Sequence, residues 1–100
     1  VGSHPEMALV VLPAHVEGRA IAGQRRVLLR AVTAAPRVEV DCRNVSSLSS
    51  AGLAVLVHAL RTARRFGTEL RLVEVNATVS DAVRRHRLDD VFLLEVGAAA

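Results

Sequence analysis

Four serines fall within five positions, Ser46, Ser47, Ser49 and Ser50, directly ahead of Ala51-Gly52-Leu53. A hydroxyl cluster at that place admits three chemistries. A helix start leaves backbone N–H groups unpaired, and a Ser oxygen can accept from one of them. One serine is explained in that way, and four are not required. The same N-terminus carries partial positive charge, so a serine there can take a phosphate without unfolding its own helix. The added charge of nearly −2 would act outward, against a docked partner. The third chemistry, a Ser50 nucleophile, wants a Gly-x-Ser-x-Gly elbow, and the sequence has none.

Other reactive side chains do not assemble into a site. His15, His58 and His86 fall on a predicted loop, a helix middle and a helix end, without ligand spacing between them. Asp41, Glu17 and Asp81 form no evident catalytic pair. Cys42 is the single cysteine and lies in a Val-rich strand, the usual place of a small buried hydrophobe. No Gly-rich phosphate loop precedes a helix. These residues predict a non-enzymatic protein with no metal and no cofactor.

The chain is 100 residues long, 51% apolar and only 2% aromatic, Phe66 and Phe92. That is one domain with a core of Leu, Val and Ala. So few aromatics argue against base stacking and aromatic cofactor clamps. The net charge is +3 and every one of the thirteen basic residues is Arg. Arg25, Arg26, Arg61, Arg64, Arg65, Arg84, Arg85 and Arg87 spread over three predicted helices, a poor nucleic-acid footprint. Apolar runs fall short of the ~20 residues that span a bilayer. No nucleic acid and no membrane are expected as partners, and the cytoplasm is the expected compartment.

These residues need positioning elements. Ala8 to Leu12 reads as a strand, closed by Pro13. Arg19 to Ala34 reads as a helix with Ile21, Leu28 and Val32 inward, stopped by Pro36. Val38 to Cys42 alternates as a strand. From Ala51 a helix places Leu53, Leu56, Val57, Leu60 and Ala63 on one face, and Gly67 ends it. Glu69 to Val75 is a strand, Asn76 or Thr78 caps a third helix, Asp89-Asp90 is a turn, and a strand or extended tail follows over Val91 to Val96. Ala98 to Ala100 is expected to fray. This alternation predicts an α/β fold, a mainly parallel four- to five-stranded sheet with crossover helices. The loops Pro13 to Gly18, Asn44 to Ser50 and Asn76 to Thr78 then leave the carboxyl ends of strands and share one rim.

Val38 to Leu53, Val-Glu-Val-Asp-Cys-Arg-Asn-Val-Ser-Ser-Leu-Ser-Ser-Ala-Gly-Leu, resembles the signature of the STAS domain, the sulfate-transporter and anti-sigma-antagonist family. Asp41 matches that family's strand-ending Asp, Ser50 its phosphorylated Ser, and Gly52-Leu53 its Gly-Leu. Val16-Glu17 resembles the pair that opens the first helix. Arg65 to Leu70 resembles the helix-to-strand turn, and Leu88 to Phe92 the closing element. The resemblance implies one STAS-like domain over residues 8–96, with 1–7 an expression remnant (Gly2-Ser3-His4 is a common cloning scar) or a first edge strand. It further implies an anti-sigma-factor antagonist that binds an anti-sigma factor acting as a Ser kinase, frees the sigma factor, and is released by phosphorylation of Ser50, or alternatively Ser49. Glu17, Asn44, Ser47, Ser49, Ser50, Gly52 and Asn76 would line the contact. The family's usual Asp before the switch serine is Ser49 here. The alternative role is a structural STAS subunit of a lipid-transport ABC complex. Family members usually begin with an antiparallel strand pair; without it, the open sheet edge invites weak homodimerisation.

Overall fold

The computed structural model describes residues 6–88 and 90–96. The expectations for residues 1–5, for Asp89 and for the alanine tail lie outside them. The elements run β1 (Met7–Val11), β2 (His15–Val16), α1 (Ala20–Ala34), β3 (Arg37–Asp41), β4 (Ser47–Leu48), α2 (Ser50–Arg65), β5 (Glu69–Val75), α3 (Ala77–Arg85) and β6 (Leu93–Val96). The expected order therefore holds, with two short strands added inside loops. Both were illegible in the sequence, because two residues are too few for a periodic pattern.

Four strands form a parallel sheet in the order β1-β3-β5-β6. Each new strand is added on the same side of the last. Right-handed crossovers wound in a single direction place their helices on one face of the sheet. Val10, Val38, Val40, Leu70 and Leu72 line that face and bury against Leu28 and Val32 of α1 and Leu56 and Leu60 of α2. Met7, Leu9 and Val11 point to the other face and are exposed. There Arg37 and Glu69 are exposed, and Arg71 Nε donates to Glu69 Oε1 at 2.6 Å. The alternation of Val-Glu-Val-Asp in β3 is the sequence trace of this one-sided burial.

The elements end for local reasons. Gly67 closes α2 at φ +70°, a left-handed conformation open to glycine. The buried Thr68 hydroxyl then donates to Val32 O at 2.8 Å, joining the start of β5 to the end of α1. Asn76 caps α3, its Oδ1 accepting from Val79 N at 3.1 Å. The last strand begins at Leu93, two residues later than the apolar run itself, since Val91 and Phe92 form the turn that feeds it.

The buried stripe of α2 differs from the expected one. Gly52, Leu53, Val55, Leu56, Ala59, Leu60 and Ala63 are buried, while Val57 is only half-buried. α2 packs on α1 as well as on the sheet, and its buried stripe takes in Val55 and Ala59. Val57 is left at the far margin.

Asp41 ends β3 with its side chain 5% exposed. Its Oδ1 accepts from Arg43 N at 2.9 Å and its Oδ2 from Arg43 Nε at 2.9 Å. Burial pushes this carboxyl's pKa up, but the guanidinium hydrogen bonds, the backbone N–H and the Arg43 charge outweigh burial and hold it below the ordinary value. Arg43 also reaches Glu74 at 3.7 Å. Glu74 stands at φ +52°, where the β5 register shifts between Leu72 and Val75. Next in the chain, Cys42 is fully buried, and desolvation, with the Asp41 charge, raises its thiol to about 12. It is an inert hydrophobe.

A depressed carboxylate stabilises the fold above its unfolded pKa, and that stabilisation is lost as pH falls through the lower folded pKa. Asp41→Asn is therefore expected to cost about 1–3 kcal/mol at pH 7, nearer the lower figure because Arg43 is mostly solvated. The variant's stability should fall less than that of the parent chain below roughly pH 4. Urea unfolding at pH 7 and at pH 3 measures both.

Candidate functional site

The loops after β1, β3 and β5 meet at one rim. β2 and β4 form a two-residue parallel ladder, His15 beside Ser47 and Val16 beside Leu48. The ladder ties the first loop to the serine loop. Ser46 N and Ser47 N both donate to Ala14 O, at 2.8 and 3.0 Å, and Ser49 N donates to Val16 O at 3.2 Å. The third loop is attached by Asn76, whose Nδ2 donates to Val45 O at 2.8 Å and Cys42 O at 3.2 Å.

The four serines separate by what their hydroxyls do. Ser46 Oγ donates to Ala14 O at 3.1 Å. Ser47 Oγ pairs with His15 Nδ1 at 2.7 Å, a contact between residues 32 apart that no sequence spacing signals. Ser49 caps α2: its Oγ accepts from Gly52 N at 3.0 Å and lies 3.4 Å from Val16 O, to which it donates. Ser50, the first residue of α2, is exposed, and its hydroxyl has no hydrogen-bond partner among the described residues. A side chain at that position points away from the capping ring, beside the free N–H donors of the first turn.

Gly52 is buried in this turn for a steric reason. A Cβ at residue 52 would overlap the Val16 carbonyl oxygen and press on Leu48 Cδ1 and Val16 Cγ1, both at 3.0 Å. α2 therefore starts where its backbone can touch β2. Of the other expected contact residues, Glu17 is exposed just beyond β2, and Asn44 is exposed on the loop after β3. Asn76 is half-buried with its amide turned inward to the neighbouring loop. The ladder thus gathers Glu17, Ser47, Ser49, Ser50 and Gly52, while Asn44 and Asn76 stand on the two adjoining loops.

Beside Ser50 runs a groove that sequence reasoning missed. Its cavity volume is about 300 Å³, and it is bounded by α2 from Ser50 to Arg61 and by His86 and Leu88 after α3. The half-buried Val57 was the available sign, once α2 is known to pack on two neighbours. No group of three or more His, Cys, Asp or Glu placed to hold a metal occurs among the described residues. No helix among them is long and apolar enough to cross a membrane.

Parallel strands wound in one direction, helices on one face, and a serine turn opening the second helix define a small one-sided parallel α/β domain. The model of one domain family, described as "Mlab, STAS domain", matches residues 12–95. The chain belongs to the STAS domain family. It is similar to the structure of the anti-sigma factor antagonist SpoIIAA in its unphosphorylated form, with a TM-score of 0.75 and 15% identity over 91% of this chain and 81% of that one. The phosphorylated form of the Bacillus cell fate determinant SpoIIAA is similar at TM-score 0.71 and 14% identity, covering 91% and 84%. A sulfate transporter family protein from Wolinella succinogenes is similar at TM-score 0.70 and 16% identity, covering 95% and 82%. No curated protein matches the chain. At these identities the likeness is one of fold.

Two hydroxyls one residue apart should behave oppositely. Ser49→Ala removes a cap worth about 1 kcal/mol, which lowers Tm by roughly 4–8 °C in a domain of this size. Ser50→Ala should stay within about 0.5 kcal/mol of the parent. Gly52→Ala, which forces α2 off β2, is expected to cost about 1–3 kcal/mol. Thermal melts of the three variants test this order.

Proposed function

We propose that this domain is a non-enzymatic anti-sigma-factor antagonist that acts in the bacterial cytoplasm. Its unmodified rim binds an anti-sigma factor of the Ser-kinase type, and that binding frees the sigma factor for transcription. Phosphorylation of Ser50 ends the complex. One observation carries the reading: of the four serines, Ser50 alone is exposed with an unengaged hydroxyl, at a helix start that tolerates a phosphate. Ser49, the alternative acceptor, would have to abandon its cap to be modified. Glu17, Asn44, Ser47 and Ser50 supply the exposed and half-exposed contact surface, and Gly52 and Asn76 hold it in shape. The likeness to SpoIIAA in both phosphorylation states supports this choice of role.

A second reading keeps the same rim without the switch. Ser49 places a capping hydroxyl, not a carboxylate, beside Ser50. This favours a structural subunit resting on the ATPase of a lipid-transport ABC complex. In either role the outer edge of β1, unpaired among the described residues, offers a site for weak homodimerisation by sheet extension.

Incubation with candidate anti-sigma kinases and ATP, followed by mass spectrometry of the Ser46–Ser50 peptide, tests the switch. One phosphate on Ser50 is expected, and none on the Ser50→Ala variant. Ser50→Asp should weaken kinase binding at least tenfold, with Tm nearly unchanged because an acid suits a helix start. If Ser50 stays unmodified and the chain co-purifies with an ABC nucleotide-binding subunit, the structural role replaces the switch.

A further inference from the structure

We infer that the groove along α2 is the seat of an acidic amphipathic helix from the partner protein. This rests on the reading of the rim as a partner-binding site and specifies what the partner presents there. The floor is apolar: Leu53 is buried, and Val57 and Leu88 are half-buried. The polar wall carries the positive charge of Arg61, with the imidazoles of His58 and His86 beside it, all exposed, and no carboxylate is found among the described lining residues. His86 Nδ1 lies 3.0 Å from Ala82 O. A carbonyl only accepts, so Nδ1 carries the proton of this contact. A cavity of about 300 Å³ is at the small end for a cofactor (roughly 300–1,000 Å³) and suits a few apolar anchors.

Length and charge select the occupant. Ser50 to Arg61 spans about 16 Å of helix axis, the length of three turns of a second helix. Anchors at i, i+3, i+4 and i+7 would meet Val57, Leu53 and Leu88, with acidic side chains against the Arg61 wall. A second copy of this chain is a poor occupant: α1 and α2 contain no Asp or Glu, and α3 contains only Asp81. The groove has no Phe, Tyr or Trp on which a base could stack. Ser50 sits at the end of the groove. A phosphate there would place negative charge beside an acidic occupant, so the sign of the occupant's charge makes repulsion an effective release.

The probe is a hydrocarbon-stapled peptide of about 14 residues, nearly four turns, with Leu at the four anchor positions and Glu elsewhere. Its control replaces every Glu with Lys. The full chain, labelled with nitrogen-15, is titrated with each. The Glu peptide is expected to shift amides from Ser50 to Arg61 and from His86 to Leu88, and to bind about tenfold tighter than the Lys peptide. Arg61→Glu, at an exposed position, should remove that preference without changing Tm. Equal affinity for the two peptides, shifts on the open sheet face, no shift at millimolar peptide, or the same shifts from a DNA duplex would each overturn the inference. If the Glu peptide seats in the groove and Ser50→Asp leaves its affinity unchanged, the groove stands and the Ser50 switch falls. If Ser50 phosphorylation releases a kinase while the Glu peptide leaves the groove unperturbed, the groove falls and the switch stands.

Discussion

The first turn of α2 lies against the Val16 carbonyl with no space for a Cβ at residue 52, and the geometry of the rim follows from that contact. Val16 O accepts from Ser49 N and receives the Ser49 hydroxyl as well. That hydroxyl in turn accepts from Gly52 N. One carbonyl, one serine and one glycine therefore lock a loop, a two-residue strand and a helix start together. Their locking explains why neighbouring serines differ. The residue that closes the ring must turn inward, and the next residue, already helical, must turn outward.

The winding of the sheet sets the second constraint. Successive parallel strands added in one direction send every crossover over the same face. Each loop that follows a strand must then leave from one end of the sheet toward those helices. The serine loop, the β2 loop and Asn76 converge for that reason, and the Asn76 amide closes the gap between them. The opposite face has no helix to cover it among the described residues. It tolerates the Glu69–Arg71 pair and the exposed Met7, Leu9 and Val11.

The width of the α2 stripe links packing to the groove. A helix that packs on both a sheet and a neighbouring helix widens its apolar stripe, and seven of the sixteen residues of α2 are buried. Val55 and Ala59 are buried, and Val57 was left at the margin beside Leu88. An apolar margin beside His58, Arg61 and His86 is a surface that neither core packing nor solvation fully satisfies.

Much was legible in the residues themselves. The period-2 pattern of Val38 to Asp41, the helical spacing of Leu53, Leu56 and Leu60, and Pro36, Gly67 and Asn76 at element ends are local properties, decided within a few residues. They were sufficient for the parallel α/β fold and for the rim. The serine turn identified the family. Which serine is free was not legible, because that depends on Val16, 33 residues away from Ser49. The His15–Ser47 pair, the β2–β4 ladder and the hold of Asn76 on Val45 were hidden for the same reason. Each joins segments that become neighbours only when the strands align, and a hydrogen bond between distant residues leaves no period in the chain. The sequence by itself determined the three helices, the four sheet strands and the chemistry available at their junctions. The tertiary structure decided which of those groups are consumed in holding the rim, leaving the Ser50 hydroxyl exposed beside the α2 groove.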